Sequence, residues 1–200
     1  MRSSGIAGII LAAGGSERLG CPKQLLPWEG KPFVWQVASS ALSADLSPVI
    51  VVTGAHHQAV EKALTDLPVE IVYNPDWENG MSTTMKAGLR ALPEGCEGVV
   101  LLLSDQPQIS PLLIRGLIEF RARHKAPITA PQIGGQRGNP VLFGRETLDA
   151  LMKITGDMGG RPLFKEYDVD WLPWIDDRIL MDVDTEEDLQ VLKRAYHFID

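Results

Sequence analysis

Residues 6–23 read IAGIILAAGGSERLGCPK, and this stretch sets the fold class of the chain. Its first seven residues, Ile6–Ala12, form an apolar run that predicts a buried strand. A glycine-rich segment with Arg18 and Lys23 follows directly. Glycine lets backbone N–H groups approach phosphate oxygens, and the two bases add positive charge. The spacing is neither GxxxxGK[ST] nor GxGxxG, so a generic strand-turn loop stays the alternative to a phosphate-binding loop.

Beyond this stretch, apolar runs alternate with segments of helical periodicity, which predicts repeated βα units in an α/β fold with a mostly parallel sheet. Val99–Leu103 is entirely aliphatic, so we expect it to lie buried at the centre of that sheet. The other predicted strands are Val49–Thr53, Val69–Tyr73, Ile128–Ala130, Val141–Phe143, Trp171–Trp174 and Ile179–Val183. The predicted helices are Pro32–Leu42, His57–Leu64, Met81–Leu92, Pro111–Arg123 with Ser110 as its cap, Glu146–Lys153, and a last helix that begins at Thr185.

Composition and charge exclude several classes of protein. The 200 residues are 44% hydrophobic and 22% charged, which predicts one globular domain over residues 1–200. The net charge of −7 argues against a nucleic-acid binder. We expect a cytoplasmic protein, because no signal-peptide or membrane-span pattern is present. Cys21 and Cys96 lack the spacing of a disulfide framework or a zinc site.

Five segments resemble the molybdenum-cofactor nucleotidyltransferases, in the same order and over nearly the whole chain. They are LAAGGSERLG at 11–20 with Lys23 after it, NPDWENGMS at 74–82, SDQP at 104–107, RGNP at 137–140 and DVDT at 182–185. The resemblance implies the three-layer αβα, Rossmann-like fold of the nucleotide-diphospho-sugar transferases. It also implies transfer of a nucleotide to the terminal phosphate of molybdopterin or the molybdenum cofactor, with release of pyrophosphate.

Two positions of the first segment favour CTP over GTP as the donor. The guanylyltransferases of this family usually read LAGG, followed later by an Asp-Lys pair, whereas the cytidylyltransferases usually read AAG. Here Ala13 stands at the third position and Pro22 precedes Lys23. The resemblance therefore implies transfer of CMP.

The resemblance places the nucleotide at the first two segments. Arg18 and Lys23 would hold the triphosphate and take part in catalysis. Gly80 and Ser82 would lie at a helix start, where free N–H groups and hydroxyls can bind a ligand, with simple capping as the alternative. The implied nucleotide-binding residues are Leu11, Ala12, Ala13, Gly14, Gly15, Ser16, Lys23, Gly80 and Ser82.

Two carboxylates are candidate ligands for Mg²⁺, which binds one or two carboxylates together with substrate phosphates. Asp105 follows Val99–Leu103 and would lie at the carboxyl edge of the sheet, where open α/β sheets bind ligands. Asp182 and Asp184 are two residues apart, so on a strand they would project to one face. By resemblance Asp105 and Asp184 are the metal ligands and Asp105 is also catalytic. Capping of a nearby helix is the alternative role for these acids.

Two loops resemble the acceptor side of the family site, with Arg137, Asn139 and Arg161 as acceptor-binding residues. A guanidinium group pairs with phosphate in a bidentate manner, which suits the terminal phosphate of a pterin. The implied partners are CTP and the molybdenum cofactor, with a transient molybdoenzyme or chaperone partner and neither nucleic acid nor membrane. The four histidines lack a metal-ligand spacing toward the carboxylates, so we expect surface or packing roles for His56, His57, His124 and His197.

Other functions stay open at this point. A guanylyltransferase, or a nucleotidyltransferase for another phosphorylated acceptor, would use the same segments. A carrier that binds the molybdenum cofactor without turnover is an alternative of another class. A dinucleotide-dependent oxidoreductase is disfavoured, because the glycine pattern is imperfect and no acid follows the second strand, where Thr53-Gly54-Ala55-His56 stands.

Overall fold

The computed structural model describes residues 5–15, 21–183 and 185–197, so Ser16, Arg18 and Asp184 lie outside the described residues. Its strands are β1 (Ile6–Ala12), β2 (Pro27–Trp28), β3 (Lys31–Pro32), β4 (Val49–Thr53), β5 (Glu70–Tyr73), β6 (Gly98–Leu103), β7 (Ile128–Ile133), β8 (Gln136–Arg137), β9 (Val141–Gly144) and β10 (Val169–Pro173). Its helices are α1 (Phe33–Ser43), α2 (His57–Ala63), α3 (Met81–Arg90), α4 (Pro111–His124), α5 (Leu148–Leu151) and α6 (Glu186–His197). Short 3₁₀ turns lie at Lys23–Leu25, Trp77–Asn79, Arg145–Thr147, Arg161–Lys165 and Asp177–Leu180.

The main sheet follows the order β10, β7, β9, β6, β1, β4, β5, with β8 paired to β7. Strand β1 is parallel to β4 and β6, β4 to β5, and β7 to β10, whereas β9 is antiparallel to β6 and β7. The predicted mostly parallel sheet is therefore confirmed. The aliphatic strand β6 lies in the middle of this order, and Val99, Val100 and Leu102 are completely buried.

Alternate residues of β1 point to opposite faces of the sheet and join two separate hydrophobic clusters. Ile10 packs on the face covered by α1, α2 and α4, together with Val37 and Leu113. Ile9 packs on the face covered by α3 and α5, together with Met85. Full burial of such a side chain stabilises the fold by roughly 1.5–3 kcal/mol before chain entropy is counted. The sheet is thus the middle one of three layers, which confirms the αβα architecture.

The strand predicted at Ile179–Val183 is wrong. A 3₁₀ turn, Asp177–Leu180, stands there instead, and irregular backbone follows it. The side-chain amide of Gln108 donates hydrogen bonds to the carbonyl oxygens of Arg178 and Met181, at 3.0 and 2.7 Å. Because a side chain satisfies this backbone, no neighbouring strand is needed. An apolar run predicts burial, but it does not specify the hydrogen-bond partner.

The predicted helix starts at His57, Met81 and Pro111 are confirmed, whereas none of the predicted C-terminal ends is exact. The helix expected over Glu146–Lys153 is a 3₁₀ turn followed by the four-residue α5. At the start of α4, Ser110 Oγ accepts a hydrogen bond from the backbone N–H of Leu113 at 3.3 Å. At the start of α6, Thr185 Oγ1 accepts one from Asp188 N–H at 3.1 Å. The predicted N-cap Ser110 is confirmed, and Thr185 caps the helix that was predicted to begin there.

Two further observations concern the class of protein. Among the described residues, no helix has both the length and the apolar character that crossing a membrane requires. Cys21 is exposed, Cys96 is buried, and both are free thiols.

Candidate active site

The carboxyl ends of β1 and β6 bring the first and third sequence segments together. Leu11 lies opposite Leu103 in the parallel register, and Ser104 N–H donates to Leu11 O at 3.3 Å. The glycine-rich loop after β1 and Asp105 after β6 therefore emerge side by side. Lys23 returns to this edge on a 3₁₀ turn, where its Nζ lies 3.9 Å from Asp105 Oδ2.

A cavity of about 600 Å³ opens at this edge of the sheet. Most of the residues that the sequence assigned to the nucleotide line it, and Asp105 lines it with them. Ala12 and Ser82 are each 1% exposed, and neither belongs to the lining of this cavity. The assigned residues that the structure brings together here are Leu11, Ala13, Gly14, Gly15, Lys23, Gly80 and Asp105.

The start of α3 differs from the expectation of free N–H groups. Met81 N–H donates to Asp157 Oδ1 at 3.1 Å, and Ser82 N–H donates to Gly156 O at 3.0 Å. Gly80 has φ +99°, and a Cβ on it would lie 3.0 Å from the backbone of Gly156. The loop after α5 therefore closes this helix end, so the capping alternative describes these two amides.

Asn74 organises the segment between β5 and α3. Its side chain is buried, and its Nδ2 donates to the hydroxyl oxygens of Thr83 and Thr84 at 2.9 and 3.2 Å. Its Oδ1 accepts from Asp76 N–H at 3.1 Å. These bonds hold Trp77, which follows Asp76, against the glycine-rich loop, where its ring lies 3.4 Å from the position of a Cβ on Gly15.

A second cavity, of about 190 Å³, adjoins the first. Arg137, Asn139 and Arg161, the residues assigned to the acceptor, all line it. The Arg137 guanidinium stacks over the Phe164 ring at 4.5 Å. Burial lowers the pKa of Arg137 from its ordinary value, and the positive charge of Arg161 lowers it further. Two guanidinium groups line this cavity, so it concentrates positive charge.

The two cavities meet along a shared wall. Leu11, Met81, Leu103 and Asp157 line both of them. A ligand in the larger cavity and one in the smaller cavity would therefore face each other at the carboxyl ends of β1 and β6. Such an arrangement suits a reaction between two bound molecules.

Asp105 fits the chemistry expected of a metal ligand. It lines the larger cavity, and its side chain is 27% exposed, so an oxygen ligand is available to a cation bound beside a triphosphate. The argument that Asp182 and Asp184 share a face of a strand is wrong, because Asp182 lies on irregular backbone. Instead Gln106 Nε2 donates to Asp182 Oδ1 at 2.7 Å. The described residues include no group of three or more potential metal-binding side chains.

Several residues of the larger cavity were not among the predicted site residues. Gln24, Trp77 and Asp157 all line it, and Asp157 also lines the smaller cavity. Trp77 and Gln24 stand inside or beside segments that carried the family resemblance, which is the signal that could have found them. Asp157 stands in a glycine-rich loop more than two thirds of the chain away from the first segment, and only the folded chain shows that they meet.

A glycine-rich loop, a lysine and a carboxylate at the carboxyl edge of a central parallel strand define a nucleotide-binding α/β protein. A family model for the MobA-like NTP transferase domain matches residues 8–171. The chain therefore belongs to the MobA-like NTP transferases, which are nucleotidyltransferases.

Named relatives of similar length have different functions. The chain is 30% identical to nicotine blue oxidoreductase of Paenarthrobacter nicotinovorans, over 97% of this chain and 96% of the relative. It is 30% identical to the purine catabolism protein PucB of Bacillus subtilis, over 98% and 99%. It is 28% identical to the molybdenum cofactor cytidylyltransferase of Escherichia coli, over 96% and 98%. The family is thus established, whereas the relatives' names differ in substrate.

Solved structures support the same fold. A homologue of Rv0371c from Mycobacterium sp. strain JC1 is 27% identical, covers all of both chains and superposes with a TM-score of 0.87. Rv0371c of Mycobacterium tuberculosis in complex with manganese is 28% identical over 94% of this chain and 97% of that chain, with a TM-score of 0.79. The latter structure holds manganese.

Proposed function

We propose that this protein transfers CMP from CTP to the terminal phosphate of molybdopterin or the molybdenum cofactor, and that residues 1–200 act as one MobA-like domain. Family membership supports nucleotidyl transfer. The observation that best supports a phosphorylated acceptor is the pair of adjoining cavities, of which the smaller one contains two arginines.

The larger cavity would hold the nucleoside triphosphate. Backbone N–H groups of the glycine-rich loop would bind phosphate oxygens, and Lys23 and Arg18 would add positive charge. Lys23 is well placed for this role, because it lies at the cavity wall beside Asp105. Holding both reactants in place supplies much of the rate, since two anions must approach each other.

The smaller cavity would hold the acceptor. Arg137 and Arg161 would pair with its phosphate, while Phe143 and Phe164 would contact its planar ring system. The acceptor phosphate oxygen is itself the nucleophile, so a serine, cysteine or histidine nucleophile is not needed. It would attack the α-phosphorus of CTP, and the bond between that phosphorus and the oxygen that links it to the β-phosphate would break, which releases pyrophosphate.

A divalent cation is the expected cofactor, because a solved relative is described in complex with manganese. Asp105 and Asp184 would hold it, and we propose Mg²⁺ as the ion. When bound, the ion would neutralise charge on the triphosphate and on the departing pyrophosphate. Gln106 would help this arrangement, since its bond to Asp182 fixes the chain two residues before Asp184.

The preference for CTP rests on the resemblance at Ala13 and Pro22, and a relative named as a cytidylyltransferase agrees with it. The test is to incubate the pure protein with Mg²⁺, molybdenum cofactor and each of the four nucleoside triphosphates, and to measure pyrophosphate. Release with CTP alone supports the proposal. Release with GTP would contradict the preference for CTP, and no release with any nucleotide would favour a carrier without turnover. A transient complex with a molybdoenzyme or chaperone would follow product formation.

An oxidoreductase is the second candidate, because a full-length relative at 30% identity is named nicotine blue oxidoreductase. The glycine-rich loop departs from the dinucleotide pattern GxGxxG, which argues against it. An assay with nicotine blue and NADH or NADPH separates the two functions. Oxidation of the nicotinamide is measured by its change in absorbance. Turnover in this assay without pyrophosphate release in the first would replace the proposal.

A further inference from the structure

The carbonyl groups of residues 12–15 all accept hydrogen bonds from outside the glycine-rich loop. Two of the donors are side chains, Gln24 and His56, and the third is the backbone N–H of Ala55. Since a carbonyl can only accept, His56 must donate from Nε2. The bonds run from Gln24 Nε2 to Ala12 O and Gly14 O at 3.5 and 3.1 Å, from Ala55 N to Ala13 O at 3.1 Å, and from His56 Nε2 to Gly15 O at 3.3 Å.

These bonds fix the direction of the loop amides. In a trans peptide the C=O and the following N–H point in opposite directions. Ala13 O points toward Ala55, which follows β4, so Gly14 N–H points toward the opposite side of β1, where β6 and Asp105 lie. Among the residues that the structure describes, the N–H groups of Gly14 and Gly15 make no hydrogen bond. Gly14 and Gly15 line the larger cavity, and their N–H groups suit an anion there.

Packing leaves the loop little freedom to turn these carbonyls elsewhere. A Cβ on Gly54 would lie 2.6 Å from Ala13 O and 2.7 Å from Trp77, so glycine is required for this close approach. Trp77 also packs against Gly15. Gln24 is 2% exposed, and His56 is half-buried. The loop is therefore held in two ways. Trp77 packs against it, and the side chains of Gln24 and His56 donate hydrogen bonds to its carbonyl groups.

We propose that Gln24 and His56 are positioning residues for the phosphate-binding loop. Gln24 holds Gly14 O and so directs the next amide, Gly15 N–H, at a triphosphate before it binds, as the Ala55 N–H does for Gly14 N–H through Ala13 O. His56 holds Gly15 O, at the far end of the described part of the loop, and keeps this backbone in place. For His56 this role goes beyond the surface or packing role that the sequence predicted. The inference rests on the proposed function, in which this loop binds the triphosphate.

The experiment measures binding of CTP, GTP and inorganic tripolyphosphate to Gln24→Met and His56→Leu by calorimetry. Loss of one such hydrogen bond corresponds to about a tenfold weaker affinity. The loss should be equal for tripolyphosphate and for any nucleotide that binds, because the loop amides contact phosphate and not the base. His56→Gln retains an N–H donor and should recover most of the affinity. A thermal melt identifies any variant that fails to fold. For His56, the test is then the difference in tripolyphosphate affinity between His56→Gln and His56→Leu.

Matched controls lie outside the loop. Gln36 Nε2 donates to Trp28 O at 3.0 Å, and so Gln36→Met removes an amide-to-carbonyl bond of the same kind. His57, next to His56, bonds to the Thr53 hydroxyl at 2.8 Å, and His57→Gln tests the neighbouring ring. Both variants should bind tripolyphosphate within about twofold of the unsubstituted protein.

The outcomes separate this inference from the proposed function. Equal tripolyphosphate affinity in Gln24→Met, His56→Leu and the unsubstituted protein would overturn the positioning role, whether or not CTP is turned over. A tenfold loss in both variants, with no turnover of any nucleotide, would support the positioning role and overturn the cytidylyl transfer. If the unsubstituted protein binds CTP but no tripolyphosphate, the positioning role is wrong, while pyrophosphate release with CTP still decides the cytidylyl transfer.

Discussion

The two adjoining cavities are built from different parts of the chain and by different chemistry. The larger cavity presents backbone of the glycine-rich loop together with Lys23 and Asp105, whereas the smaller one presents arginine and aromatic side chains. Backbone amides bind any phosphate chain, so the larger cavity suits the part that all nucleoside triphosphates share. Side chains are free to vary without altering the fold, so the smaller cavity is the natural place for acceptor preference. Relatives with differently named substrates on one fold agree with this division.

The largest effect should come from Asp105, which lies on the nucleotide side of the comparison. Asp105→Ala should lose on the order of 100-fold or more in turnover, because it removes a group at the site where charge develops. The fold should remain, as measured by circular dichroism and the melting temperature. Asp66→Ala is the control, since Asp66 pairs with Lys31 on the surface. Near-normal metal-dependent turnover in Asp105→Ala would remove Asp105 from the mechanism.

Lys23 should come next, with an effect on both binding and turnover. Lys23→Met should weaken CTP binding by roughly tenfold or more, because a charge-assisted contact to phosphate is lost. Calorimetry with CTP and with pyrophosphate measures this effect. Lys31→Met serves as the matched control, because the Lys31 ammonium pairs with Asp66 outside both cavities. Unchanged affinity for both ligands in Lys23→Met would contradict its role.

The arginines test the other side of the comparison. Arg137→Gln and Arg161→Gln should each raise the KM for the acceptor by about tenfold and leave CTP affinity within twofold, since a phosphate contact is lost only in the smaller cavity. Steady-state kinetics at fixed CTP, together with calorimetry for CTP, separate the two effects. Arg123→Gln, which removes a surface pair with Glu119, is the control. Weaker CTP binding with an unchanged acceptor KM would reverse the assignment of the two cavities.

The smallest effect concerns the segment between β10 and α6, where Arg178 pairs with Asp176 and stacks on Tyr196 of α6. Hydrogen bonding to Arg178 lowers the pKa of Asp176. A lowered pKa in the folded state gives stability that is present above the ordinary aspartate pKa and is lost as the pH falls through the lowered value. Asp176→Asn should therefore reduce the melting temperature by about 1–3 °C at pH 7 and by less near pH 3. An equal reduction at both pH values would exclude this ion pair as the cause.

The sequence predicted β1 and β4 to the residue, and it placed the central strand correctly, because buried parallel strands leave uninterrupted aliphatic runs. The strand predicted at Ile179–Val183 is wrong, because an apolar run also occurs in irregular backbone whose hydrogen bonds come from a side chain, here Gln108. Because this strand does not form, the argument that Asp182 and Asp184 project from one face of a strand no longer holds. For the site, the sequence grouped Lys23 with Asp105, and the structure brings their charged groups within 3.9 Å. The roles of the individual site residues remain predictions.

The sequence by itself determined the family, the layered α/β fold and the segments that surround the site, because hydrophobic periodicity and glycine-rich loops are local properties of the chain. Only the tertiary structure decided which polar groups meet. It directed His56 and Gln24 to the carbonyls of the glycine-rich loop, and it closed the start of α3 with Asp157. Hydrogen bonds act over about 3 Å between residues far apart in sequence, so no local pattern specifies them.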